Sequence, residues 1–301
     1  MLKKTLVGEL CAEFAGTMII ILFGTAVVAQ VVTTAGTDAP AGGHDAITWA
    51  WGIGVTLGIY AAARLSGAHL NPAVTLALAT FKGFAWGKVA PYMLAQLVGA
   101  FVGALVVRFT YTDLISSVDP QHTIATQGIF STLPGNGTLP VGTWGAFRDQ
   151  IIGTAILLFL ILAVTDLRNT SPGANLAPFI IGLIVVAIGM AWGTDAGYAI
   201  NPARDLGPRL MSFFTGYGDA WRDQNGDIYF WVPILGPIIG ALIGALLYDL
   251  LVGRNLPVSD EDEEPGRTAS TPEPGDRAAG RTDTPTPREA TATERRTESR
   301  G

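Results

Sequence analysis

Two apolar segments of this chain are too short to cross a membrane, and each is introduced by nearly the same words. Ser66-Gly67-Ala68-His69-Leu70-Asn71-Pro72-Ala73-Val74-Thr75 returns, altered, as Ala196-Gly197-Tyr198-Ala199-Ile200-Asn201-Pro202-Ala203-Arg204-Asp205. Each copy follows a long apolar segment and leads into an apolar stretch of about ten residues, which at ~1.5 Å per residue reaches roughly half of a ~30 Å hydrocarbon core. Two half-spans at matching places in a duplicated chain predict a pore.

The triplet itself carries a physical expectation. Asn is a preferred helix N-cap and Pro is pre-organised for the first helical position, so Asn71 and Asn201 should each start a short helix. If the halves are inverted, both helix N-termini point at the midplane and place partial positive charge there, a poor site for cations and protons. With the side-chain oxygen used as the cap, the amide NH₂ of each Asn should be free to donate into the passage. Gly67 and Gly197 permit unusual dihedrals, so Ala68, His69 and Ala199 are expected in extended loops whose carbonyls face a water-lined path. The copies also differ by one fixed cation, Arg204, whose counterpart is Val74. A buried Arg is costly unless a polar cavity receives it. Donation to permeant hydroxyls is one reading; a structural salt bridge to Asp205 is the other.

Nearly half of the residues are hydrophobic and 15% are charged, which excludes a pair of ordinary soluble domains and predicts a multi-span, all-α membrane protein. Full spans are expected near 6–32, 46–65, 88–111, 147–167, 175–193 and 231–252, with half-spans at 71–81 and 202–214. Lys3 and Lys4 before an apolar run, with Ala26-Val27-Val28-Ala29 beyond, could instead mark a signal peptide, but Glu9 and Glu13 interrupt the run and it is too long. Lys3, Lys4, Lys82, Lys88, Arg168 and Arg254 fall on one side of this topology, and Arg148, Arg209 and Arg222 on the other. The loop at about 33–45 has no Lys or Arg, so both termini are expected in the cytoplasm.

The repeat extends beyond the triplets: Ala12-Glu13-Phe14-Ala15-Gly16-Thr17 aligns with Asp149-Gln150-Ile151-Ile152-Gly153-Thr154. An odd number of spans per half makes the repeat an inverted 3+3, with one repeat at about 6–111 and the other at about 147–252. A channel domain over 1–256 is therefore expected. Residues 257–301, rich in Pro, Thr and charge and including Asp260-Glu261-Asp262-Glu263-Glu264, are expected to form a disordered tail. Gly99-xxx-Gly103 and Gly236-xxx-Gly240-xxx-Gly244 should let helices approach closely. Cys11 is the single cysteine, and His44, His69 and His122 are too scattered to propose a metal site. No cofactor is expected. Acidic residues (25) outnumber Lys and Arg (19), and no nucleic-acid partner is expected.

The paired motifs SGAHLNPAV and NPARD resemble the major intrinsic protein family of aquaporins and glycerol facilitators, over roughly Leu6 to Arg254, with the nearest likeness to the aquaglyceroporin branch. The resemblance implies an aquaporin-like fold of six spans and two re-entrant half-helices, and a homotetramer with a pore in each subunit. It implies an acid in each half that accepts hydrogen bonds from the re-entrant loop. Glu13 matches the first, while the second position holds Gln150, which loses the charge but keeps an acceptor. It also implies a selectivity filter of Trp51, Gly189, Tyr198 and Arg204, with Trp49 an alternative to Trp51 by register error, and a pore-facing His69. Water-selective relatives narrow the filter with His where Gly189 leaves room. Asp205, Arg209, Pro233 and Ile234 fit the glycerol-channel pattern. The expected function is a passive plasma-membrane channel for glycerol, water and other small neutral solutes that excludes ions. A water-selective channel and, further off, an ion-coupled transporter are the alternatives; no nucleophile–base constellation suggests an enzyme.

Overall fold

The computed structural model describes residues 5–257. These form ten α-helices and no strand, with one isolated bridge between Arg222 and Ile228. Helices α1 (Leu6–Thr34), α2 (His44–Ser66), α3 (Pro72–Phe81) and α4 (Trp86–Thr110) make the first half. The second comprises α7 (Thr143–Thr165), α8 (Ala177–Ala196), α9 (Pro202–Phe214) and α10 (Val232–Leu251), and short helices α5 (Thr112–Val118) and α6 (Ile124–Gln127) lie in the connection. Six helices are long and apolar enough to cross a membrane, and α3 and α9 are not. Many large apolar side chains on the long helices, Phe23, Leu57, Leu94 and Leu246 among them, are exposed, as a lipid-facing surface requires. The expected spans are found with their ends moved by a few residues, whereas the helices of the connection carry no apolar periodicity that would announce them. Lys3, Lys4 and the charged tail lie outside the described residues.

Packing follows the duplication. In the first half α1 lies against α2 and α4, and in the second α7 lies against α8 and α10. The half-helices cross over: α3 packs on α10, and α9 on α4. Each repeat therefore supplies a wall for the other's half-helix, beside the contact each half-helix makes with the last span of its own half.

The glycines show why the long helices meet where they do. A Cβ at Gly99 would sit 2.3 Å from Phe14 O, and one at Gly240 2.3 Å from Ile151 O; one turn on, Gly103 faces Met18 O and Gly244 faces Ala155 O. Phe14 and Ile151 are equivalent positions of the repeat, so the same backbone-to-helix contact is built twice. Side chains at these positions would force the helices apart and break the dense packing on which helix association in lipid depends.

Candidate functional site: two opposed half-helices and a constriction

Both half-helices start as their sequence predicts. Asn71 Oδ1 accepts from Ala73 N at 2.9 Å, and Asn201 Oδ1 accepts from Ala203 N at 3.0 Å and Arg204 N at 3.2 Å. Pro72 and Pro202 occupy the first helical position and, with Ala73 and Ala203, are buried behind the Asn side chains.

The amide groups differ from the expectation that they stand free. Asn71 Nδ2 donates to Ile200 O at 2.8 Å, and Asn201 Nδ2 donates to Leu70 O at 2.8 Å. Each amide has two hydrogens, so one ties the opposite loop and one remains for the passage. The reciprocal pair locks the two N-termini face to face. Its partners are 129 and 131 residues apart, beyond what local sequence reveals.

The loops are also not simply extended. Ala68, Leu70, Tyr198 and Ile200 have φ of 52°, 51°, 33° and 43°, in the left-handed region, alongside Gly67 and Gly197. Such a conformation costs a non-glycine residue about 1–3 kcal/mol and persists only where the surroundings impose it. In the first loop the constraint is Glu13, whose Oε1 accepts from His69 N at 2.9 Å and Oε2 from Leu70 N at 2.7 Å. Gln96 Nε2 donates to the same carboxylate at 2.7 Å and to Thr75 Oγ1 at 3.0 Å, and Thr75 in turn contacts His69 Nδ1 at 3.1 Å.

In the second loop Gln150 plays the corresponding part with a neutral group. Its Oε1 accepts from Ile200 N at 2.9 Å, and its Nε2 donates to Ala196 O at 3.0 Å. A carboxylate there would oppose a carbonyl. A second brace ties α9 to chain outside the helices: Asp205 Oδ2 accepts from Thr132 N and Thr132 Oγ1, both at 2.7 Å, and Asp205 Oδ1 pairs with Arg209 Nε, on the same helix, at 2.7 Å. Arg209 continues to Ala220 O and Thr132 O, and the Asp205–Arg209 pair is almost wholly buried. Thr132 and Gln96 were missed in the sequence. Gln96 had a signal, since it precedes Gly99 by one helical step on the face that α4 turns to Glu13.

Arg204 is not part of that brace, so the salt bridge to Asp205 is not formed. Its guanidinium carbon lies 3.9 Å from the centre of the Trp51 ring, within cation–π range, and its Nη1 has no hydrogen-bond partner although buried. Trp51 is buried, whereas Trp49 is 45% exposed. Trp51, Tyr198 and Arg204 border two cavities at once. The larger, about 420 Å³, is lined also by Gly67, Ala68, His69, Asn71 and Asn201 and by apolar Ile20, Val55, Leu157 and Val185. The smaller, about 200 Å³, is lined by His44, Thr132, Asn136 and Gly197. Ala199 is buried beside them and lines neither.

Gly189 differs from its expected part. A Cβ there would meet Tyr198 Cζ at 2.8 Å and Thr48 Cγ2 at 2.9 Å, so the missing side chain makes room for the tyrosine ring rather than for a solute. Asn136 begins a glycosylation-type triplet, yet its Nδ2 donates to Gly193 O at 3.1 Å.

Six spans, two capped half-helices meeting tip to tip, and cavities on either side of a cationic, aromatic constriction define a multi-pass membrane channel. Residues 1–248 match the family model described as MIP, Major intrinsic protein, and the chain belongs to that family. It is 42% identical over 262 residues to a glycerol uptake facilitator protein of Pseudomonas aeruginosa, covering 84% of this chain and 91% of that one. To aquaglyceroporin-2 of Rhizophagus irregularis it is 42% identical over 250 residues, 80% and 76% of the two chains. Among solved structures, the aquaglyceroporin from Plasmodium falciparum superposes with a TM-score of 0.72 at 33% identity, over 82% of this chain and 97% of that one.

Proposed function

We propose that this protein is a passive channel for glycerol and related small uncharged solutes, with some water, that excludes ions and protons. The observation that carries the reading is the constriction between the two cavities. Trp51 and Tyr198 offer apolar faces to a carbon backbone, while the Arg204 guanidinium, unpaired at Nη1, offers donors to hydroxyls. The names of the relatives, aquaglyceroporin and glycerol uptake facilitator, support the same substrate class. Cations meet the N-termini of α3 and α9 and the charge of Arg204, and the remaining amide hydrogens of Asn71 and Asn201 orient a single file of hydroxyls or water. The filter is Trp51, Tyr198 and Arg204, with Gly189 behind Tyr198. The working form is a homotetramer in the plasma membrane with both termini cytoplasmic, and the channel needs no cofactor and performs no catalysis.

Light scattering of vesicles containing the protein, under water, glycerol and urea gradients, tests this. Glycerol flux well above the lipid background and independent of sodium or proton gradients is expected. Flux at background with fast water would make the protein a water channel, and flux that vanishes when an ion gradient collapses would make it a coupled transporter. Arg204→Val should raise cation or proton leak and reduce glycerol selectivity; an unchanged leak in folded protein would leave Arg204 a structural role.

A further inference from the structure

One side chain reaches the constriction from a helix end rather than from a pore loop. His44 is the first residue of α2, and its Nε2 lies 2.9 Å from Gly189 O on α8. A carbonyl oxygen only accepts, so Nε2 carries the hydrogen, and in the neutral ring Nδ1 is then an acceptor. Nδ1 has no protein partner among the described residues.

The ring occupies space that α8 vacates for it. A Cβ at Gly193 would meet His44 Cε1 at 2.7 Å and the Tyr198 ring at 3.0 Å, so imidazole and phenol are packed over the same glycine. His44 lines the smaller cavity together with Trp51, Tyr198 and Arg204. One turn along α2, Thr48 packs where a Gly189 side chain would stand. The face of α2 from His44 to Trp51 therefore backs the constriction.

The donor–acceptor balance of the cavity gives the ring its use. Arg204 can only donate, and so can the indole of Trp51, while the Tyr198 hydroxyl, buried without a partner, and the oxygens of Thr132 and Asn136 can accept beside the free His44 nitrogen. A hydroxyl needs an acceptor for its hydrogen as well as a donor for its oxygen, and a polyol entering the cavity gives up water that supplied both. We propose that His44 is a specificity-determining residue of the outer filter: Nε2–H holds the Gly189 segment, and Nδ1 accepts a hydroxyl hydrogen from the polyol whose oxygens Arg204 engages. This deepens the polyol-channel reading and rests on it.

The test compares His44→Phe, which keeps an aromatic ring without nitrogen, with His44→Gln, whose amide can donate to Gly189 O and still present an oxygen acceptor. Glycerol and water fluxes are measured in the same vesicles and normalised to protein that is monodisperse. His44→Phe should lower the glycerol-to-water ratio about three- to tenfold, the effect of one lost hydrogen bond, while His44→Gln stays within about twofold of the parent. If His44→Phe does not fold, His44→Leu takes its place in the comparison. A ratio unchanged in the apolar variant, or lowered equally in both, overturns the proposal. Parent protein that conducts no glycerol fails the polyol reading itself, a result seen before any variant is made.

Discussion

The two pore loops solve one mechanical problem with different chemistry. The first hangs on a buried carboxylate, Glu13, which takes the N–H groups of His69 and Leu70 and the amide of Gln96. The second hangs on a buried amide, Gln150, which accepts from Ile200 and donates to Ala196 O. Counting from the matched glycine pairs, the position equivalent to Gln96 is Pro237, which has no side-chain donor to give. A carboxylate needs outside donors, whereas an amide brings its own. The second loop leads into Arg204 and carries Tyr198, and its half-helix is further tied by Asp205 and Arg209 to Thr132 in the connection between the halves. The loop that leads into the cation is thus the one fixed from two directions, which teaches that a neutral anchor suffices where a second brace exists.

The largest expected effect is on that brace. Asp205→Ala leaves the Arg209 guanidinium buried without its carboxylate and should cost about 3–5 kcal/mol of stability, read as a fall in the thermal midpoint of purified protein. A fall smaller than that of any change at Gln150 would mean that the outer brace is not what holds the second loop.

Exchanging the anchors comes next. Glu13→Gln leaves one loop N–H facing an amide donor, and Gln150→Glu sets an acceptor against Ala196 O, so each should cost about 1–3 kcal/mol in the same measurement. A neutral outcome for either would show that hydrogen-bond polarity does not choose the anchor.

The third effect sharpens the view that the second loop sets selectivity. Because a side chain at Gly189 would collide with Tyr198 and Thr48, Gly189→His alone should harm folding, whereas Gly189→His with Tyr198→Cys removes the ring collision and leaves Thr48 to shift, and in folded protein it should lower the glycerol-to-water ratio by about tenfold, roughly 1.4 kcal/mol of differential barrier. Paired fluxes in one vesicle preparation check it, and a constant ratio with full water flux would remove Tyr198, and the room Gly189 makes for it, from any part in selectivity.

The smallest effect lies outside both loops and calibrates the rest. The hydrogen bond from Arg168 holds the Asp166 carboxyl down to about 2 from an ordinary 3.8, with Tyr248 Oη adding a second bond. A depressed carboxyl stabilises the fold above its unfolded value and ceases to do so as pH falls through its folded one. Asp166→Asn should therefore cost less than about 1 kcal/mol at pH near 6, and the difference should close between about pH 4 and 2. A difference that persisted at the acid end would point to packing rather than charge.

Much of this was legible in the residues. Caps, half-span lengths and the six long apolar runs are local properties, set by an Asn-Pro pair, by residues per span and by hydropathy, and they reappear with ends shifted by a few residues. The motif residues were legible as well, because the duplication displays them twice. Resemblance, rather than spacing, supplied Trp51 and Tyr198. What the sequence could not determine were contacts between residues far apart along the chain. Asn71 and Asn201 each give one hydrogen to the opposite loop, Arg204 lies on Trp51 and leaves Asp205 to Arg209, Tyr198 fills the room of Gly189, and His44 reaches across to the carbonyl of that glycine. Each of these polar groups had several chemically acceptable partners in the sequence. The crossing of the half-helices brings the two Asn amides to the opposite loops, and the packing of α2 against α8 brings His44 to Gly189, each leaving the alternative partners out of range.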